Sequence, residues 1–248
     1  MGLFKKEKRR VSAAEEEGFI LSETSPFIMR EAYTTLRTNI LFSLPQEGCK
    51  VIAVTSSEQS EGKTTNCLNT AISFGLLGMK VLVIDCDLRR PRISKLVGQK
   101  DDKGLSHALV GLASSHEIVK KTDFQNLDVI CAGEIPPNPT ELLGSERMAA
   151  LIEGLRFTYD YIFLDTPPVC VVPDALILAK HIDGMVLVAR SGSSDKRGVA
   201  EAVRRLEFSG VKLLGYCLSD IELKEKKYGY KKYGYSKYGY SKYEYRSR

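Results

Sequence analysis

The sequence is poor in the side chains that build metal–thiolate centres and histidine-based active sites. Its three histidines, His107, His116 and His181, lie in unrelated segments, which favours surface or helix-capping roles over catalysis. None of the six cysteines belongs to a C-x-x-C pair or has a histidine at ligand spacing, so we expect reduced, mostly buried thiols. A metal–thiolate site is therefore not expected.

The sequence also lacks a long hydrophobic run. The longest stretch without a charged residue, residues 64–79, contains two asparagines and three threonines, and it is shorter than the roughly 20 apolar residues of a membrane-spanning helix. Residues 1–10 are basic, but neither an apolar region nor a small-residue cleavage site follows them. These features predict a cytoplasmic protein that has no membrane span of its own.

Charge is unevenly distributed along the 248 residues, of which 43% are hydrophobic and 27% are charged. Residues 224–248 carry nine Lys or Arg and two Glu, a local excess larger than the formal net charge of +5 for the whole chain. Because the basic character belongs to the tail, nucleic acid is not expected as a partner. The length and composition suit one domain with tails.

Six short apolar runs rich in β-branched residues predict strands, and helix-like stretches lie between most of them. Runs that are apolar throughout are typical of strands covered on both faces, and strands that alternate with helices indicate parallel crossovers. The predicted fold is therefore α/β, with a doubly wound, mostly parallel sheet. The predicted strands are residues 51–55, 81–84, 127–131, 161–164, 185–190 and 211–218.

A helix is predicted ahead of the first strand, over residues 26–44, because apolar residues recur there at helical spacing and prolines flank the segment. Residues 1–25 are charged and weakly patterned, and we expect them to be flexible. The predicted organisation is a flexible N-terminal segment at 1–25, a domain at 26–223 and a mobile tail at 224–248.

The segment after the first strand predicts a phosphate-binding loop. Residues 57–65 read SEQSEGKTT, which fits G-x-x-x-x-G-K-[ST] except that Ser57 replaces the first glycine. In this pattern consecutive backbone N–H groups surround the β-phosphate, Lys63 reaches the β- and γ-oxygens, and Thr64 ligates Mg²⁺. The candidate nucleotide-binding residues are Ser60, Glu61, Gly62, Lys63, Thr64 and Thr65.

Aspartates follow two of the other apolar runs. Asp85 and Asp87 come after the run at 81–84, and Asp165 follows the run at 161–164. The carboxyl ends of parallel strands meet at one edge of a sheet, where a Mg²⁺-bound triphosphate would lie. Carboxylates at that edge would ligate the metal or hold one of its waters, although a single Asp after a strand is also a common helix N-cap.

The C-terminal tail is a five-residue repeat. From Tyr228 it reads YGYKK, YGYSK, YGYSK and YEYRS, and nothing in the repeat can form a core. Each phosphotyrosine would add about −1.5 to −2 charges, so phosphorylation would reverse the positive charge of the tail. The eight tyrosines of the repeat are Tyr228, Tyr230, Tyr233, Tyr235, Tyr238, Tyr240, Tyr243 and Tyr245.

Together these motifs resemble the bacterial tyrosine kinases (BY-kinases), P-loop enzymes that regulate capsule and exopolysaccharide assembly. The resemblance covers about residues 25 to 248. SEQSEGKTT, VLVIDCDLRRPR at 81–92 and YIFLDTPP at 161–168 are similar to the Walker A, A′ and B elements of that family. The resemblance implies a P-loop NTPase fold, ATP and Mg²⁺ as cofactors, and phosphorylation of the tail, chiefly by a neighbouring subunit.

The resemblance also implies catalytic roles for Lys63, Asp85 and Asp87. Lys63 would stabilise charge on the transferred group, and Asp87 would accept the tyrosine proton, with Asp85 as the reserve. Thr64 and Asp85 would hold Mg²⁺, and Asp165 would position it through a water. Many relatives have an asparagine at the end of the last strand to contact adenine, where this chain has Leu-Ser-Asp at 218–220.

The partners that the resemblance implies are a transmembrane activator, other copies of the chain and other tyrosine-containing proteins. The chain would then lie at the inner face of the plasma membrane through its partner. In the interface motif E-x-x-R-x-x-R of the family, Glu31 and Arg37 match and Thr34 replaces the middle arginine. The helix at 26–44, with Tyr33 and Phe42, would serve docking or oligomer contacts, or would simply pack on the sheet.

Two other classes of protein remain open. A partition-type P-loop ATPase would hydrolyse ATP to cycle between dimer and monomer, but the position of its signature lysine is Glu58 here. A non-enzymatic module would use the basic, tyrosine-rich tail as an anchor on anionic lipid or single-stranded RNA. Label transfer from ATP to tyrosine would separate the kinase from both alternatives.

Overall fold

The computed structural model describes residues 19–44, 47–100 and 102–220. The strands in these residues are β1 (Lys50–Ser56), β2 (Val81–Asp85), β3 (Val119–Lys121), β4 (Leu127–Ile130), β5 (Tyr161–Asp165), β6 (Gly184–Arg190) and β7 (Leu213–Ser219). The helices are α1 (Phe27–Ser43), α2 (Lys63–Gly75), α3 (Ile93–Leu96), α4 (Leu105–Val110), α5 (Ser115–Ile118), α6 (Pro139–Leu143), α7 (Glu146–Leu155), α8 (Asp174–Ile177) and α9 (Lys196–Phe208), with a 3₁₀ turn at Leu178–His181.

The described strands form one sheet in the order β3-β4-β2-β5-β1-β6-β7. Every neighbouring pair is parallel except β3 with β4. All six predicted strands are present, and the predicted doubly wound, mostly parallel sheet is confirmed. Strands β2 to β5 lie on one side of β1, and β6 and β7 lie on the other. Each parallel connection passes over a face of the sheet.

Helices cover both faces of the sheet. Val51 and Ala53 pack into one buried cluster with α4, α7 and α9, whereas Ile52 and Val54 pack into a second cluster with α1 and α2. The two sets alternate because successive side chains of a strand point to opposite faces. Every residue of β1, β2 and β5 is buried, which explains why these runs are apolar throughout.

Two elements differ from the prediction. The strand β3 is absent from it, since Val119–Lys121 has one apolar residue and pairs only at the edge of the sheet, antiparallel to β4. Helix-like stretches are expected between most of the predicted strands, and the stretch before β5 forms two helices, α6 and α7. The division falls at Ser145, whose Oγ accepts a hydrogen bond from the Met148 N–H at 3.3 Å and caps α7.

The predicted helix at 26–44 is confirmed as α1. Packing begins ahead of it, since Leu21 is buried and its N–H donates to Asn69 Oδ1 at 2.8 Å. Residues 1–18 and 221–248, which include the eight predicted phosphorylation sites, lie outside the described residues. The predicted boundaries of the flexible segment and the tail therefore stay predictions. None of the helices within the described ranges has the length and apolarity needed to cross a membrane.

The register of the central strands brings their acidic ends together. Asp85 at the end of β2 is paired with Asp165 at the end of β5, and Asp165 is also paired with Val54 near the end of β1. The loop that follows β1 is the predicted phosphate loop. The candidate site therefore lies at the carboxyl ends of three adjacent parallel strands, as expected for this fold class.

Candidate active site

The loop between β1 and α2 ends in a conformation that requires glycine. Gly62 directly precedes α2 with φ +89°, in the left-handed region. A Cβ at this position would lie 3.2 Å from Asn66 Nδ2 and 3.3 Å from Ser219 Oγ. Ser60 also has a positive φ, of 66°. Such strained backbone is concentrated at functional sites, and the first N–H groups of a helix favour an anion.

Ser57, which replaces the first glycine of the motif, is not among the described residues with positive φ. Its hydroxyl donates to both carboxylate oxygens of Glu61, at 2.9 and 3.1 Å. Glu61 also accepts the N–H of Glu58 at 2.9 Å and the hydroxyl of Ser194. The Glu61 side chain is buried and holds the loop together through these contacts. The backbone N–H groups of the loop can then contact a phosphate.

Neighbouring elements hold the loop at two further points. Asn66 Nδ2 donates to the Gly62 carbonyl at 2.9 Å, and Ser219 Oγ donates to the Glu61 carbonyl at 2.7 Å. Ser219 ends β7, at the strand end where the family resemblance implies an adenine contact. Sequence reasoning missed Asn66 and Ser194, and the one signal for Asn66 was its helical spacing from Gly62.

Tyr33 connects α1 to this network. Its hydroxyl donates to Asn66 Oδ1 and accepts from Asn69 Nδ2, both at 3.0 Å. Burial raises the pKa of Tyr33 to about 12, so the hydroxyl stays protonated as these bonds require. Tyr33 therefore packs against α2, whereas Phe42 near the other end of α1 is 83% exposed.

Lys63 lies between two of the predicted carboxylates. Its Nζ is 2.9 Å from Asp87 Oδ2 and 3.3 Å from Asp165 Oδ1. The hydroxyl of Thr64 donates to Asp165 Oδ2 at 2.7 Å. The structure thus brings together four predicted site residues from the phosphate loop, the turn after β2 and the end of β5.

Asp85 lies deeper, at the end of β2. Its Oδ2 accepts the N–H groups of Arg92 and Ile93, both at 2.9 Å, and its Oδ1 accepts the N–H of Asp87 at 3.2 Å. These bonds fold the turn after β2 back over the strand end. Asp85 is adjacent to Asp165 through the strand register, while Asp87 forms the ion pair with Lys63.

Burial and crowding shift the ionisation of the site. Burial, followed by the charge of Asp165, raises the pKa of Asp85 to about 8. Burial also raises the pKa of Asp165, against the opposing effects of Lys63 and Thr64. Burial by itself would lower the pKa of Lys63, but the carboxylates of Asp165 and Asp87 outweigh it and raise that pKa. Three acidic side chains lie near one ammonium group, an arrangement that favours an added cation.

The residues predicted to hold Mg²⁺ fit that ion. Thr64, Asp85 and Asp165 present only oxygen donors at one edge of the sheet, and Thr64 already contacts Asp165. In the ranges that the structure covers, no three His, Cys, Asp or Glu side chains form a metal cage. A Mg²⁺ ion here would therefore take few protein ligands and complete its shell with phosphate oxygens and water.

A groove of about 360 Å³ opens beside the phosphate loop, at the carboxyl ends of β6 and β7. It joins the loop through Arg190, whose Nη1 donates to the Ser60 carbonyl at 3.3 Å, and through the contact of Ser194 with Glu61. Its lining residues are Ala189, Arg190, Ser191, Gly192, Ser194, Lys196, Val199 and Leu218. The groove extends the site away from the three carboxylates.

A parallel sheet with a phosphate loop, a lysine at the start of the next helix and acidic strand ends defines a P-loop nucleotide-binding protein. Residues 34–206 match a family described as AAA domain, which agrees with this class. The predicted P-loop fold is confirmed.

Two relatives define the class more narrowly. The chain is 38% identical over 213 residues to tyrosine-protein kinase YwqD of Bacillus subtilis (strain 168), which covers 85% of this chain and 90% of YwqD. The kinase domain of the Escherichia coli tyrosine kinase ETK matches with a TM-score of 0.76 at 31% identity, over 87% of each chain. This chain belongs to the family of bacterial tyrosine kinases, as its motifs predicted.

The fold is shared more widely than the family. The septum site-determining protein MinD of Pyrococcus horikoshii OT3, solved in complex with Mg-ADP, matches with a TM-score of 0.60 at 24% identity, over 68% of this chain and 70% of MinD. At that identity the likeness concerns the fold alone. By TM-score and sequence identity, MinD is a more distant relative of this chain than the kinase ETK.

Proposed function

We propose that this chain is an ATP-dependent protein tyrosine kinase that phosphorylates the eight-tyrosine tail, chiefly that of a neighbouring subunit. The observation that carries the proposal is the contact of Lys63 with Asp87 and Asp165 beside the phosphate loop, in a member of the tyrosine kinase family. Phosphoryl transfer depends mainly on charge neutralisation and in-line positioning, and this cluster supplies both.

Nucleotide binding is assigned to the loop and its flanks. The backbone N–H groups of residues 60–65 and the ammonium group of Lys63 hold the phosphates of ATP. The groove at the ends of β6 and β7 takes the nucleoside, because it adjoins the loop through Arg190 and Ser194. Thr64 and Asp85 would hold Mg²⁺, with Asp165 positioning it through a water, and the ion would supply neutralisation of the phosphate charge.

The acceptor step is assigned to Asp87. The tyrosine oxygen attacks the γ-phosphorus as its bond to the β,γ-bridging oxygen breaks, so ADP leaves and the hydroxyl proton passes to the Asp87 carboxylate. A free tyrosine titrates near about pH 10, so a carboxylate that orients the hydroxyl and takes its proton late is chemically reasonable. When Lys63 engages the phosphates, Asp87 is released from its ion pair and can face the acceptor.

The wider setting is proposed from the family. The chain regulates capsular or exopolysaccharide synthesis, acts with a transmembrane activator and lies at the inner face of the plasma membrane. Copies of the chain supply one another with tails, and other tyrosine-containing proteins are further acceptors. The exposed Phe42 and Phe27 of α1 are apolar surface suited to such contacts.

Transfer of label from ATP tests the kinase function. The full chain is incubated with γ-labelled ATP and Mg²⁺, with and without the cytoplasmic segment of the activator. Wild type is compared with Lys63→Met, with a tail in which all eight tyrosines are phenylalanine, and with Lys80→Met as a matched control. Lys80 is exposed next to the opposite end of β2, so its loss leaves the site intact.

We expect label on tyrosine in wild type and Lys80→Met, and none in Lys63→Met. Loss of label in the phenylalanine variant would identify the tail tyrosines as the acceptors. Release of inorganic phosphate without phosphotyrosine would support the ATPase switch, and the absence of both products with activator present would support the anchor.

A further inference from the structure

An ion pair between a buried carboxylate and a partly exposed guanidinium group lies beside the acidic turn. Asp174, at the start of α8, is fully buried, and its carboxylate faces Arg89 in the turn after β2. Arg89 Nε is 2.8 Å from Asp174 Oδ2, and Arg89 Nη2 is 3.2 Å from Oδ1. This two-point pairing fixes the orientation of the guanidinium group as well as its position.

Thr140 completes the contact. Its hydroxyl accepts from Arg89 Nη2 at 2.8 Å and donates to Asp174 Oδ1 at 2.7 Å. The three residues belong to the connections that follow β2, β4 and β5. They therefore join three neighbouring segments at the active edge of the sheet, and we call them the Arg89–Asp174–Thr140 triad.

The turn that carries Arg89 also carries the proposed base. Arg89 is two residues from Asp87, and the N–H of Arg90 donates to Asp87 Oδ1 at 3.1 Å. The inner side of the turn is fixed by Asp85, and its outer side is fixed by the triad. A shift of the outer side would change where Asp87 meets Lys63 and the acceptor.

Stability alone does not account for a fully buried carboxylate at this place. Burial costs the Asp174 carboxylate its hydration, and a pairing with the partly exposed Arg89 offsets that cost without a large net gain in stability. Its rigid, two-point geometry is better suited to orientation, and active sites depend on groups whose own positions are fixed by surrounding hydrogen bonds.

We propose that Asp174 is a positioning residue for tyrosine phosphorylation: through Arg89 it fixes the turn that aims Asp87 at the acceptor hydroxyl, and Thr140 holds the pair in place. The inference rests on the proposed kinase function. It concerns the acceptor step, and nucleotide binding by the phosphate loop should not depend on it.

The test compares the full chain with Asp174→Asn, Arg89→Lys, the double variant and Thr140→Val. For each, the rate of tail phosphorylation per nucleotide-binding site is measured, along with the affinity for Mg·ADP and thermal unfolding. Asp128→Asn is the matched control, because Asp128 is also a buried, paired carboxylate, bonded to Tyr159 and Lys121 away from the site.

We expect Asp174→Asn and Arg89→Lys each to lower the rate about 10- to 100-fold, with Mg·ADP affinity changed less than about threefold. The double variant should be no slower than the slower single variant, because the two residues act as a unit. Thr140→Val keeps both charges, and its rate should fall by a smaller factor. If Asp174→Asn does not fold, Thr140→Val still tests the proposal.

A rate in Asp174→Asn and Thr140→Val equal to that of Asp128→Asn would overturn the inference, as would rate losses that only track losses of Mg·ADP affinity. Additive losses in the double variant would also contradict it. A wild-type chain that phosphorylates no tyrosine would instead overturn the proposed function, and this inference with it.

Discussion

Removing the ionisable group at Asp85 should change how the stability of the nucleotide-free protein depends on pH. Burial and the neighbouring Asp165 raise the pKa of Asp85 from 3.8 to about 8. Between these values the folded protein keeps a proton that the unfolded chain has lost. Because the unfolded state binds fewer protons in this window, the free energy of unfolding falls as pH rises from about 4 to about 8.

The magnitude follows from one proton. Each pH unit changes the free energy of unfolding by about 1.4 kcal/mol, so wild type should lose about 2 kcal/mol between about pH 6 and pH 7.5 from this group. For a chain of this size, that corresponds to about 4 to 8 °C in Tm. Asparagine cannot ionise, so Asp85→Asn should lack this component. With its oxygen in the place of Oδ2, the amide also gives up the hydrogen bond from the Asp87 N–H to Oδ1, a loss of about 1 kcal/mol that is the same at every pH.

The assay is thermal and urea unfolding of wild type and Asp85→Asn, without nucleotide and with a chelator present. The stability difference between wild type and Asp85→Asn should change by about 2 kcal/mol over that pH range. Parallel pH profiles for wild type and Asp85→Asn would refute the conclusion that Asp85 is protonated in the folded, metal-free protein.

Two further predictions concern the nucleotide. Gly62→Ala should weaken Mg·ADP binding at least about tenfold in calorimetry, because φ +89° is strained for alanine and its Cβ would crowd Asn66 and Ser219; unchanged affinity would contradict the geometry of the loop. Mg·ADP affinity should rise with pH up to about 8, since the metal displaces the proton of Asp85. Calorimetry in buffers of different ionisation heat should detect that released proton, and binding without proton release would count against Asp85 as a ligand.

The residues that carry the chemistry could be predicted because their signals are local. The phosphate loop occupies nine consecutive residues, and Asp85 and Asp165 directly follow runs that are apolar because both faces of β2 and β5 are buried. Parallel strands then bring the two aspartates together without any further information from sequence.

The contacts that support those residues could not be predicted, because they join positions far apart in the chain. Ser194 meets Glu61 across 133 residues, and Arg89 meets Asp174 across 85. Glu61 and Arg89 belong to sequence motifs, but their partners Ser194 and Asp174 do not. Similarly, the sequence shows that Ser57 is small, but not that its hydroxyl binds Glu61.

The proposed mechanism depends on Asp87, which is held beside Lys63 and is proposed to take the proton as phosphate passes to tyrosine. Its most direct test is the rate at which Asp87→Asn transfers label from γ-labelled ATP to tyrosine, measured alongside its affinity for Mg·ADP. We expect a rate at least about 100-fold below wild type, with the affinity for Mg·ADP within about threefold. Transfer by Asp87→Asn at the wild-type rate would contradict this mechanism.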